Sequence, residues 1–233
     1  MTSRLHTLAD AIRQRFGDAV QFPPAIAGEL TIEVAPNDLL SIAGTLRDEG
    51  PFCFETMIDL CGVDYLTFGL AEWDTEQASN EGFSRAASAA METGTGATDQ
   101  PLRFAVVVHL LSVSRNLRLR LRSFCEPGAM LRMPSLTSIW PAADWYEREA
   151  FDLFGIHFEG HPDLRRLLTD YGFIGHPFRK DFPVSGNVEV RYDAEKGRVV
   201  YQPVSIEPRV LVPKIIRDDN RYQGELKDRP GRG

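Results

Sequence analysis

The order of patterns along this chain predicts an α+β fold: a single globular domain with a mixed, mainly antiparallel sheet flanked by helices, plus a long extended C-terminal tail. Three observations predict it. Helical spacing of apolar residues marks two early segments, a Val/Leu-rich run over 103–122 reads as a hairpin, and regular periodicity fades after Gly160. The domain is placed at residues 1–164, with an acidic insertion at 71–101, and the tail at 165–233.

Each element has its own signal. Leu5, Leu8, Ala9, Ile12 and Phe16 fall at helical spacing behind Ser3, a suitable N-cap. Residues 19–22 and 30–34 read as short strands around Pro23-Pro24. Leu39, Ile42, Ala43 and Leu46 mark a second helix, with Gly50 as its stop. A strand is expected near Phe54–Leu60. Residues 71–101 carry six acids and one base (Arg85) and few large apolar groups, and read as a surface insertion with a helical turn near 86–91. Arg103 to Ser114 is the first hairpin strand, and Arg115-Asn116 the turn, since Asn tolerates positive φ. Leu117, Leu119 and Leu121 then alternate with Arg118, Arg120 and Arg122, which puts leucines on the core face and arginines opposite. The arginine face is read first as a solvated outer face and second as an electrostatic contact surface. Pro141 opens a helix that Gly155 ends.

Charge separates the two parts. Residues 1–164 hold 12 Lys+Arg and 23 Asp+Glu, whereas 165–233 hold 14 and 10, within a chain of net charge −7. The tail has 6 of the 15 prolines, yet Tyr171, Phe173, Phe178, Phe182, Tyr192, Tyr201 and Tyr222 punctuate it. Disordered tails are poor in aromatics, so an arm that buries its aromatics in a partner fits better. A nucleic-acid module with a basic tail is the competing class, and the acidic domain argues against it.

Little here encodes chemistry. No apolar run approaches the ~20 residues of a membrane span. Cys53, Cys61 and Cys125 form no C-x-x-C pair, and Gly94-Thr95-Gly96 lacks the context of a phosphate loop. His157, His161 and His176 read as hydrogen-bonded structural histidines, because Gly155, Gly160 and Pro162 oppose a helical ligand pair. Glu147, Glu149 and Asp152 read as ion-paired carboxylates on a helix surface before they read as an acid/base site. A stand-alone metal enzyme therefore ranks low, and no catalytic, cofactor-binding or metal residue is assigned. A transit peptide built on Arg4, Arg13 and Arg15 is opposed by Asp10 in its middle.

One segment is far more specific. Residues 147–168, from Glu-Arg-Glu-Ala-Phe-Asp-Leu-Phe-Gly through Gly160-His161-Pro162-Asp163-Leu164-Arg165-Arg166, closely resemble the signature of the thirty-kilodalton subunit family of NADH-quinone oxidoreductase, respiratory complex I. Thr169 to Pro183, Glu189 to Asp193, Phe54 to Asp64 and Phe104 to Leu121 resemble further parts of that family. Phe178, where the family often has Leu, and the acidic insertion depart from it. The resemblance implies a non-catalytic subunit of the peripheral arm of a proton-pumping NADH:quinone oxidoreductase. It implies no cofactor in this chain, with flavin and Fe–S clusters in partner subunits. It implies packing against the quinone-site subunit related to the hydrogenase large subunit, with the tail wrapped around it. The expected location is the cytoplasmic face of a bacterial inner membrane, attached through the complex, rather than the mitochondrial matrix side. A related membrane-bound hydrogenase, or a quinone oxidoreductase with another donor, is the alternative setting. On this reading Arg165, Arg166, Arg179, Lys180, Asp181 and Arg191 have interface roles. Glu147, Arg148, Glu149, Asp152, Gly155, Gly160 and His161 fix the junction of domain and tail, mainly through intramolecular salt bridges.

Overall fold

The computed structural model describes residues 3–24, 28–66, 68, 102–128 and 130–206. The chain divides into two compact units, 1–66 with 96–204 and 67–95 with 205–233. The first unit holds the elements described and reaches Val204. The insertion's expected helical turn lies outside the described residues, as does Tyr222.

Three helices and nine strands are described: α1 (Ser3–Phe16), β1 (Val20–Gln21), β2 (Thr31–Val34), α2 (Pro36–Asp48), β3 (Thr56–Asp64), β4 (Phe104–Ser112), β5 (Leu117–Phe124), β6 (Leu131–Pro134), α3 (Ala143–Phe154), β7 (Ile156–Glu159), β8 (Val188–Asp193) and β9 (Arg198–Pro203). The main sheet runs β1-β2-β5-β4-β3. All its pairings are antiparallel except β2 with β5. This is the mixed, mainly antiparallel sheet of the predicted α+β class.

The helices form where the apolar spacing places them. Leu8, Ala9 and Ile12 of α1 are buried, as are Leu39, Ile42, Ala43 and Leu46 of α2, in one core with Ile32, Leu60, Val108, Leu119 and Leu121. Each fully buried Leu or Ile contributes about 1.5–3 kcal/mol. Two ends differ from expectation. The end of α2 is no left-handed glycine cap: Glu49 leaves in extended conformation, its N–H bonded to Thr45 O, and Gly50 has no positive φ. Helix α3 begins at Ala143 rather than Pro141, after a turn in which Ala143 N–H bonds to Trp140 O. The expected stop at Gly155 holds: its φ is +76° and its N–H bonds to Phe151 O. Asn116 supplies the left-handed turn between β4 and β5, at φ +51°.

The arginine face is less solvated than the alternation alone implies. Parallel pairing brings β2 beside β5, so Glu33 lies in register with Arg122 and takes its guanidinium at 2.7 Å. Arg120 pairs with Glu29 and donates through Nε to His109 Nε2 at 3.0 Å. Of the three arginines, Arg118 alone is exposed.

Two strand pairs carry no strong sequence signal: parallel β6–β7, four residues each, and antiparallel β8–β9. Helix α3 and strand β7 follow one another at the edge of the sheet formed by β3, and carry most of the junction residues.

Candidate functional site

The junction is built on two buried carboxylates and a strap of chain, residues 163–182. Asp152, near the end of α3, is completely buried. Its Oδ2 accepts the N–H groups of Leu167 (3.0 Å), Leu168 (2.7 Å) and Thr169 (2.9 Å). Its Oδ1 accepts Arg166 Nη1 at 2.9 Å and the Thr169 hydroxyl at 2.5 Å. Burial alone would push this carboxyl up. The hydroxyl and the three amides outweigh it and hold the group far below the usual carboxylate range. Arg166 also donates to Gly175 O at 3.1 Å, which closes the loop around the carboxylate.

Asp64, at the end of β3, is the second anchor. Arg103 reaches it in a two-pronged pair, Nε at 2.9 Å and Nη2 at 2.8 Å, and Lys180 N–H donates to it at 2.8 Å. Burial opposes ionisation here too, and Arg103 with the backbone donors overcomes it, so the pKa is lowered. Arg103 contacts Asp181 at 3.1 Å. Arg103 and Arg179 both lie over the Phe104 ring, 4.5 and 5.1 Å from its centroid. Arg179 Nε donates to Phe154 O at 2.7 Å, His176 Nδ1 contacts Asp152 O at 2.9 Å, and Phe178 N–H bonds to Leu153 O. The strap thus satisfies the carbonyls at the end of α3 that no helical partner can reach.

Close packing makes glycines obligatory here. A Cβ on Gly155 would lie 2.6 Å from both Arg179 Nη2 and His176 Nε2, and one on Gly62 would lie 2.6 Å from the Phe154 ring. Gly160, also left-handed, has open space beside it and serves the backbone alone.

A third cluster lies at the start of α3. Glu147 is fully buried and accepts the Ser135 hydroxyl and the Leu136 N–H, each at 2.6 Å. Burial raises its pKa despite these bonds. The His161 ring, wholly buried, accepts Asp163 N–H at Nδ1, so Nε2 carries the proton toward Asp144, 3.1 Å from both its carbonyl oxygen and Oδ1. The geometry serves the carbonyl and leaves Oδ1 unsatisfied.

The residues singled out from sequence are therefore gathered only in part. Asp152 and Arg166 form an internal salt bridge, with the carboxylate buried rather than on a helix surface. Glu147 does not: its partners are a hydroxyl and an amide, inside the core rather than on a helix surface. Arg148 donates to Arg165 O at 3.3 Å and lies 5.1 Å from the Trp145 ring centroid. Glu149 is half-buried on another side of α3, where its charge helps burial push the Cys61 thiol up to about 11. Cys125 is buried and pushed up to about 12, so neither thiol is poised as a nucleophile. Arg165 pairs with Asp163 and stays exposed, and Lys180 uses its backbone while its side chain is exposed. Arg191 lies exposed on β8. Sequence reasoning missed Asp64, Arg103, Ser135 and Thr169. Among the described residues no group of three or more His, Cys, Asp or Glu could hold a metal ion. Among them, too, no helix is long and apolar enough to cross a membrane.

Fold and junction together define an α+β domain that locks its own C-terminal strap with buried acids. That fold is shared with a chain in the solved structure of the membrane-bound sulfane sulfur reductase, an archaeal respiratory membrane complex (TM-score 0.50, 18% identity, 78% of this chain and 86% of that chain). Residues 32–188 match the model of the family described as respiratory-chain NADH dehydrogenase, 30 Kd subunit. The NADH-quinone oxidoreductase C subunit of Coxiella burnetii (strain RSA 331 / Henzerling II) is 56% identical over 222 residues, 95% of this chain and 97% of that protein. The protein of the same name from Hydrogenovibrio crunogenus is 54% identical over 218 residues, covering 93% and 97%. The chain belongs to this family, the thirty-kilodalton subunit family of NADH-quinone oxidoreductase.

Proposed function

We propose that this chain is a non-catalytic structural subunit of a proton-translocating NADH:quinone oxidoreductase. It supports electron flow from NADH to quinone by packing against the quinone-reducing subunit, the one related to the hydrogenase large subunit. The flavin and Fe–S clusters belong to partner subunits. The chain sits on the cytoplasmic face of a bacterial inner membrane, attached through the complex.

The observation that carries this reading is the saturation of Asp152. Five donors from residues 166–169 fill a carboxylate whose pKa burial alone would raise. A group so occupied neither exchanges protons near neutral pH nor binds a substrate. It holds a strap in a fixed shape, which is what a docking element needs. Within the strap, Arg166, Arg179 and Asp181 set that shape through internal contacts, whereas Arg165 and Lys180 present charged ends to a partner. Arg165→Ala should lower the amount of assembled enzyme in membranes and leave the NADH:quinone turnover of each assembled complex unchanged. Unchanged abundance with slower quinone reduction would contradict the scaffold reading.

A further inference from the structure

Strand β5 is only partly covered on its β2 side. The parallel register runs from Arg120 to Arg122, so among the described residues Leu117 to Leu119 form a free edge of the main sheet. A cleft of about 830 Å³ opens there, lined from the first turn of α1, from residues 28–30, from β5 and from the neighbouring β3 and β4. Its size is that of a small-molecule site. Leu5, Leu30, Ile58, Leu117 and Leu119 supply apolar lining. Arg4, Arg118 and Arg120 line it too, against two acids, Glu29 and Asp59. The balance is the reverse of that over residues 1–164, which hold 12 Lys+Arg and 23 Asp+Glu. Both acids of the cleft are engaged. Glu29 pairs with Arg120, and Asp59 Oδ2 lies 3.8 Å from His109 Nδ1. Arg120 Nε donates to His109 Nε2 at 3.0 Å, so the ring carries its proton on Nδ1, toward Asp59. Arg4 and Arg118 are exposed, and among the described residues neither has an ion-pair partner.

We propose that this cleft binds a long-chain acyl carboxylate, its chain against the apolar lining and its carboxylate held by Arg4 and Arg118. A guanidinium fork matches a carboxylate with two parallel hydrogen bonds. With both acids engaged, the free charge in the cleft is positive, and it selects an anion. A nucleotide fits less well: among the described residues that line the cleft none is aromatic, so a base has no ring to stack on. A short anion such as acetate would leave the apolar lining in water and forgo its burial. The cleft shares no residue with the junction, so binding there is independent of the scaffold role.

The test uses the purified full-length chain and dodecanoate below its micellar concentration. Titration calorimetry should show one saturable site. Dodecanol, which has the chain without the charge, and acetate, which has the charge without the chain, should each bind at least about tenfold more weakly. Arg4→Ala/Arg118→Ala should weaken dodecanoate binding about tenfold and leave dodecanol binding unchanged. Both side chains are exposed, so their removal leaves the core intact. Arg132→Ala, at an exposed arginine outside the cleft, should bind dodecanoate like wild type. Dodecanol bound as tightly as dodecanoate would overturn the proposal, as would equal dodecanoate affinity of wild type and the double variant, or no saturation below the micellar concentration. A second measurement needs no variant. In amide spectra of the wild-type chain, dodecanoate should shift the signals of Leu30 and of Leu117 to Arg120. Shifts concentrated on β8 and β9, or spread over the whole chain, would overturn the proposal.

Discussion

The strap at 163–182 and the hairpin at 188–203 are neighbours of similar composition, both rich in turn residues, aromatics and charges. Their surroundings are opposite. The strap has amide and guanidinium groups met by Asp152, Asp64 and the carbonyls at the end of α3. Among the described residues, the hairpin strands pair with each other, and the face of Val190, Tyr192 and Tyr201 is exposed. The difference teaches that composition does not decide where a tail docks. Two buried carboxylates in the domain do, because an ionised acid removed from water requires donors, and the strap supplies them.

Removing an anchor should have the largest effect. Asp152→Ala leaves Arg166 and three amides without their acceptor, and should cost about 3–5 kcal/mol in denaturant unfolding of the purified chain. A loss no larger than that of an exposed residue would break the comparison, since the strap would then owe little to its anchor.

Next is the close approach at the end of α3. Gly155→Ala puts a Cβ into a left-handed position 2.6 Å from Arg179 and His176. It should cost about 1–3 kcal/mol, from strain and displaced strap contacts. The hairpin should show no matching loss.

The two acids of α3 should then give opposite pH dependence. Asp152 has a folded pKa below its ordinary 3.8, so its stabilisation is complete above that value and is lost as pH falls below it. Glu147 has a folded pKa above its ordinary 4.5, so its protonated form favours folding, and that contribution is lost as pH rises from 4.5 through the folded pKa. Unfolding free energies followed from acid to neutral pH should show Glu147→Gln gaining on wild type as pH rises. Asp152→Asn should fall further behind over the same rise. The same sign for both would contradict the assignments.

Smallest is Arg191→Ala, on the polar face of β8, expected within about 0.5 kcal/mol of wild type in the same unfolding assay. A larger loss would mean that Arg191 makes a stabilising contact within the folded chain.

Much of the fold was legible in the sequence, for local reasons. Ile12, Leu39 and Leu46 follow helical spacing, Leu119 and Leu121 alternate, and Asn116 and Gly155 take the left-handed conformations their types permit. What stayed hidden needs a partner far along the chain. Arg103 and Asp64 are 39 positions apart, and Glu33 and Arg122 meet only because β2 runs parallel to β5. Strands β6 and β7 are too short for any periodicity to register. Glu147 did leave a trace: with Ala143 and Ala150 it falls on the buried stripe of α3, and a carboxylate on such a stripe signals a core hydrogen-bond network rather than a surface ion pair. Val188, Val190 and Tyr192 left one as well, an alternation masked by the prolines and glycines around it.

Hydrogen exchange on the free chain tests the central contrast most directly. The amides of Leu167, Leu168, Thr169 and Lys180 should be strongly protected, while those of β8 and β9 exchange fast and gain protection only in the assembled enzyme. Hairpin amides as protected in the free chain as those of the strap would contradict the account.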